Sequence, residues 1–222
     1  PPPPPPPPPP TFPAEDGIRD CTRSLVGSEM CIRDRVCVHH LWFDESRYED
    51  LGTRIKCNPA IKAASDRAAL VKAVNEGRID VIATDHAPHT SSEKKQSYFK
   101  APAGLPLVQH ALLVLFDLAD RGEISHELIV DRACHAPADL FGVQERGYVR
   151  EGWYADLVIV DPEKPFRVEK SNLLCKCHWS PFEDHEFSST IDTTIVNGEI
   201  VYHDGELTRN IAGQRLEFNR AR

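Results

Sequence analysis

From Val36 onward the apolar positions fall into short runs separated by polar loops. "VCVHHLWF" (36–43) is the first such run, and "RIKCNPAIK" (54–62) follows it after an acidic loop. In "SDRAALVKAVNEG" (65–77) the spacing predicts a helix. Ser65 is placed to cap it, Ala69, Leu70 and Val74 line one face, and Gly77 stops it. "IDVIAT" (79–84) is apolar enough to be a strand buried on both faces, as parallel strands are. A polar loop leads to "LPLVQHALLVLFDLADRG" (105–122), which predicts a helix opened by Pro106 and closed by Gly122. Two shorter helices are expected at 125–134 and 137–142. Strand, loop and helix in alternation predict an α/β architecture with a parallel sheet.

Beyond Gly147 the pattern changes. "ADLVIVD" (155–161) and "TTIVNGEIVYHDGEL" (193–207) read as strands, separated by loops punctuated with Pro and Gly. The Asn197-Gly198 pair marks a tight hairpin. A small β unit is therefore expected to follow the α/β part and to finish the fold.

Composition excludes some functions. Of 222 residues, 34 are acidic and 26 basic, a formal charge of −8. That balance argues against a nucleic-acid partner or an anionic membrane surface. No apolar run reaches the roughly 18 residues a transmembrane helix needs. Seven cysteines at irregular spacings do not form a disulfide framework, and a reducing cytoplasm is the expected compartment. Residues 1–35 stand apart. Ten prolines open them, and Ile-Arg-Asp occurs at both 18–20 and 32–34, with no helical or strand period between. The segment resembles translated sequencing-adapter read-through and is expected to contribute neither fold nor function. The expected organisation is a leader (1–35), an α/β part (36–146), and a β unit with its tail (147–222).

The candidate chemistry sits in "VIATDHAPHTSSE" (81–93), where a buried strand becomes a polar loop. Asp85 stands at the strand end, where α/β barrels place their chemistry. Pro88 pushes Ala87 toward an extended conformation, which leaves Asp85 and His89 able to face one cavity. A carboxylate there can bind a divalent metal, move a proton, or do both. The spacing alone equally allows Asp85 to cap the loop, with two surface histidines beside it.

Several segments together resemble dihydroorotases, members of the amidohydrolase superfamily. "ATDHAPHTSSEK" is similar to the signature at the end of their eighth barrel strand, and "KCNPAIK" to the substrate-binding strand upstream. "VCVHHLWF", "KAPAGLP" (100–106), "PADLFGVQERGYVREGWYADLVIVD" and "TTIVNGEIVY" follow the family in order and spacing, from about 36 to 207. The resemblance implies the C-terminal part of a (β/α)8 TIM-type metal-dependent hydrolase barrel, followed by a small β unit. It implies reversible closure of N-carbamoyl-L-aspartate to L-dihydroorotate in pyrimidine biosynthesis, with zinc as the cofactor, binuclear in intact members. Asp85 then matches the aspartate that is both metal ligand and catalytic proton shuttle. Asn58 matches the asparagine that hydrogen-bonds the substrate, His89 the histidine that meets its carboxylate, and Ala103 and Gly104 a loop pair touching the ring. The implied partner is a small-molecule substrate, with a homo-oligomer possible for the intact enzyme.

The chain also departs from that pattern. A (β/α)8 barrel typically needs about 250 residues, and residues 36–150 supply enough for its last β/α units only. The family's first-strand His-x-His, its mid-barrel bridging ligand and the histidines of strands five and six have no match. With one ligand retained, the chain alone is expected to be inactive and to bind zinc weakly. Hydantoinase- or allantoinase-type hydrolysis is the alternative activity, and a non-catalytic structural relative the alternative class. His39-His40 is read as structural, and "CKCH" (175–178) as a loop with unpaired thiols.

Overall fold

The computed structural model describes residues 34–208 and 213–219. Strand β1 (Arg35–Cys37) lies parallel to β2 (Val81–Ala83), with Val36 opposite Ile82. Val36, Val81 and Ile82 are all buried, which accounts for apolar side chains on both faces of so short a pair. β1 begins inside the expected leader. The Asp34 carbonyl accepts from the Asp80 and Val81 amides, so the leader's last two residues take part in the fold. Its remainder, 1–33, lies outside the described residues.

The chain passes from β1 directly into α1 (Val38–Trp42), then through α2 (Tyr48–Leu51) to α3 (Ala64–Asn75). α3 starts earlier than expected. Ala63 is the N-cap, its carbonyl accepts from the Asp66 and Arg67 amides, and Ser65 falls inside the first turn without capping it. The buried face is Val71, Ala73 and Val74, with Leu70 at the core margin. Gly77 ends the segment at φ +71°.

After β2 come α4 (Ser91–Lys94) and α5 (Ala111–Asp120). The helix expected from Leu105 therefore starts at Ala111. Residues 105–108 are diverted by a distant partner: His86 Nδ1 accepts from the Leu107 and Val108 amides, and Ala87 N donates to Leu105 O. Those bonds hold the segment beside the end of β2 and override its helical pattern. α6 (His126–Val130) and α7 (Ala136–Phe141) are joined by a π-helical turn, Asp131–His135.

The C-terminal unit holds β3 (Leu157–Asp161), β4 (Phe166–Arg167), β5 (Glu186–Phe187), β6 (Thr190–Val196), β7 (Glu199–His203) and β8 (Glu206–Leu207). An antiparallel sheet runs β3-β6-β7-β8, and β4-β5 form a separate ribbon. Asn197 and Gly198 take φ of 54° and 83°, the left-handed geometry of a tight hairpin turn. Part of this unit closes the α/β core: Val168, Phe182 and Phe187 belong to the same buried cluster as Val36, Leu41 and Leu118. Phe182 stacks on Phe43 with centroids 5.3 Å apart. Buried Asp117 of α5 accepts from the Ser188 amide and hydroxyl at 2.9 and 2.8 Å and lies 3.2 Å from His185 Nε2.

His110 sits in this seam, 1% exposed and stacked on Phe187, and burial pushes its pKa down to about 4. The unfolded ring titrates near 6.5, so between those values the unfolded chain holds a proton that the folded chain lacks. Stability should therefore fall as pH drops through that window, by up to about 3 kcal/mol from this ring. Thermal unfolding at pH 7 and pH 5 tests this. His110→Phe should lose part of the acid sensitivity, and an unchanged slope would remove His110 as its source.

Candidate active site

The five expected site residues lie on three segments at the carboxyl ends of β1 and β2, namely 56–59, 85–89 and 102–104. Asp85 follows β2 by two residues and is exposed, with φ at +46°. Aspartate tolerates this left-handed conformation better than most residues, and such strain concentrates at functional sites. Its charge reaches two buried neighbours, acting against burial at His40 and with burial at Cys57, whose thiol is pushed up to about 12.

His86 turns inward as the anchor for Leu107 and Val108, so the two adjacent groups Asp85 and His86 serve different ends. His89 Nε2–H donates to Ala103 O at 3.0 Å, which brings two of the expected residues into contact. Gly104 lies against the same loop. A Cβ built there would stand 2.6 Å from Ala87 O and 3.2 Å from His89 Cδ2, so glycine is what permits the approach. Asn58 is exposed on the neighbouring segment. The Pro59 carbonyl beside it accepts from His40 Nε2 at 2.9 Å and from the Cys57 thiol at 3.1 Å.

Two residues to which the sequence reading assigned no role hold the segments together. Lys94, 2% exposed, donates from Nζ to the carbonyls of Lys56, Pro102 and Gly104 at 3.2, 2.9 and 2.9 Å. Burial lowers its pKa to about 8. A reciprocal cap between Thr90 and Glu93 sets the turn that carries it. In sequence Lys94 closes the "ATDHAPHTSSEK" stretch without an assigned role, and its three carbonyl partners reveal one. Trp179 of the β unit donates from Nε1 to His89 O at 2.7 Å, fixing the Asp85–His89 loop from outside the barrel part.

Among the described residues Asp85 is the only member of the expected ligand set. A catalytic zinc site usually takes three protein ligands, so these residues alone do not fit the family's metal centre. Cys37, His39 and His40 form a separate group, with one ligand atom from each within 4.8 Å of the others. His39 and His40 are both buried, and burial lowers both pKa values, most strongly at His39. The Cys175 and Cys177 thiols lie 3.2 Å apart in a turn, without a disulfide. A cavity of about 310 Å³ between α5 and the β sheet is lined by Leu112, Phe166 and Val201 and by no His, Cys, Asp or Glu. Its one titratable side chain is Tyr202, and none of the expected site residues lines it. Among the described residues no helix is long and apolar enough to cross a membrane.

A short parallel pair with an acid at its carboxyl end, flanked by helices and joined to a β unit, matches part of a (β/α)8 barrel. The sequence profile of the amidohydrolase family matches residues 20–201, and the chain belongs to that family. The dihydroorotase of Halobacterium salinarum is 39% identical over 178 residues, which is 80% of this chain and 42% of that protein. That of Clostridium acetobutylicum is 37% identical over 166 residues, covering 74% and 39%. Among solved structures, the L-hydantoinase (dihydropyrimidinase) of Arthrobacter aurescens has a TM-score of 0.77 at 25% identity, covering 87% of this chain and 44% of that one. The D-hydantoinase (dihydropyrimidinase) of a Thermus species has a TM-score of 0.72 at 22% identity, covering 87% and 43%, a likeness of fold. The chain thus spans about two fifths of the length of the curated relatives it matches.

Proposed function

We propose that residues 36–207 form the C-terminal part of a dihydroorotase, which opens the cyclic amide of L-dihydroorotate reversibly to N-carbamoyl-L-aspartate. The observation that carries this reading is the level of sequence identity. It is 33–39% toward proteins named dihydroorotase but 19–25% toward the solved hydantoinases and dihydropyrimidinases. In this reading Asp85 takes the proton from the attacking water as the C–O bond forms and delivers it to the ring nitrogen as the C–N bond breaks. In intact family members the metal, zinc in our reading, supplies Lewis-acid chemistry at this point. Asn58 hydrogen-bonds the substrate, the backbone at Ala103 and Gly104 touches the ring, and His89 meets the carboxylate. With its Nε2–H spent on Ala103 O, His89 offers only Nδ1, so a proton on that nitrogen is needed to donate to an anion. The same reading keeps the division into leader, barrel part and β unit, and places the intact enzyme in the cytoplasm, serving pyrimidine synthesis.

Hydantoinase-type hydrolysis is the second reading, favoured by the names of the solved neighbours. The substrates differ in chemistry, because dihydroorotate carries a ring carboxylate and hydantoin does not. A chimera in which residues 36–207 replace the matching part of the Halobacterium salinarum relative separates the two. Dihydroorotate should be opened at least about tenfold faster than hydantoin, and the reverse preference would overturn the assignment. In the same chimera His89→Ala should raise KM for dihydroorotate about 10- to 100-fold, the worth of a charge-assisted hydrogen bond, with a smaller change in kcat.

A further inference from the structure

The group formed by Cys37, His39 and His40 stands apart from the proposed chemistry of Asp85. β1 ends at Cys37 and α1 starts at Val38. This abrupt strand-to-helix turn gathers residues that a continuing strand would send to opposite faces. One ligand atom from each lies within 4.8 Å of the others, and the two rings have centroids 4.2 Å apart. His39 is 1% exposed, and among the described residues neither of its ring nitrogens has a hydrogen-bond partner. Nδ1 of His40 is also buried without one, while its Nε2–H is held by Pro59 O at 2.9 Å. Buried polar atoms are nearly always satisfied. Each neutral ring therefore keeps one unpartnered lone pair, two beside a thiol, and these call for a partner that accepts lone pairs.

We propose that Cys37, His39 and His40 form a site for one thiophilic divalent metal ion of the zinc class, separate from the Asp85 carboxylate. One sulfur and two imidazoles select zinc, cobalt or copper over magnesium and calcium, which prefer oxygen. A tetrahedral zinc holds such atoms roughly 3.3–3.6 Å apart, so the cluster closes by about an ångström through side-chain rotation. The carbonyl of Pro59 orients the His40 ring and leaves Nδ1 as its free lone pair, the usual way a ligating histidine is set. Binding forms one metal–sulfur and two metal–nitrogen bonds and releases one proton, that of the Cys37 thiol. The half-buried Cys37 gives the ion its way in, and the fourth position is left to water.

The test uses the 222-residue chain, stripped with chelator and titrated with cobalt(II) as a visible substitute for zinc. One equivalent should bind, giving a thiolate-to-cobalt charge-transfer band and the intense visible absorption of a tetrahedral site, both displaced by zinc. Cys37→Ser should abolish the charge-transfer band, and His39→Ala should weaken zinc binding at least about tenfold. The band should persist in Asp85→Ala and in Cys175→Ser/Cys177→Ser, which separates this site from the proposed catalytic acid and from the other thiol pair. In the unmodified chain, zinc should protect Cys37 from alkylation and release one proton per ion, a readout that needs no variant to fold. A band surviving Cys37→Ser, a band lost with the Cys175 and Cys177 pair, or Cys37 alkylated equally with and without zinc would overturn the proposal.

Discussion

Asp85→Asn in the chimera should lower kcat for ring opening of dihydroorotate by about 10²- to 10⁴-fold, the usual contribution of a positioned general acid–base group. The amide keeps the size of the side chain but cannot take the proton from water. Asparagine is also the better control, because it favours the left-handed φ of +46° that alanine resists. Asp85 is exposed at the strand end, so the thermal midpoint should stay near that of the parent. Asp85→Ala should be equally inactive and somewhat less stable. Retention of kcat within tenfold of the parent in either variant would mean that another group moves the proton.

Gly104→Ala should cost about 2–5 kcal/mol of stability, combining a strained backbone with overpacking against a neighbour that cannot yield. The new Cβ would stand 2.6 Å from Ala87 O and 2.7 Å from Ala87 Cβ, at a φ of +135°. Ala87 is itself tied, through its amide, to Leu105 O. Relief therefore requires the 85–89 loop to move, and His89 with it. Gly152→Ala provides the comparison, since its φ is +82° but its Cβ would meet open space. That variant should show the backbone cost alone, about 1–2 kcal/mol. Urea unfolding of the two proteins isolates the contact, and equal losses would show that Ala87 gives way freely.

The candidate site was legible in outline because its residues announce themselves locally. Asp85 follows an apolar run, and His89 follows Pro88 in the same short segment. A sequence can show that an acid stands where a strand ends. It cannot show that Lys94 is buried, because the carbonyls that hold it belong to residues 38, 8 and 10 positions away. Nor does it show that Trp179, 90 residues beyond His89, carries the bond that steadies the loop. His39 and His40 read as structural; the metal-site proposal rests on three of their nitrogens having no partner among the described residues, next to Cys37.

The same division runs through the fold. The sequence by itself determined the parallel strand at 81–83, the hairpin at Asn197-Gly198 and the presence of a helix after residue 105. Each follows from forces acting within a few residues: apolar side chains on both faces, a left-handed turn, a helical apolar period. Only the tertiary structure decided that this helix starts at Ala111, that α3 is capped at Ala63 without help from Ser65, and that the loops of the β unit complete the barrel core. The first of these turns on His86 Nδ1 taking the Leu107 and Val108 amides, and the last on Phe182 stacking against Phe43 across the chain. Local preferences differ by tenths of a kcal/mol per residue, whereas a buried ring or a satisfied buried amide is worth about 1–3 kcal/mol, so where the two conflict the distant contact prevails.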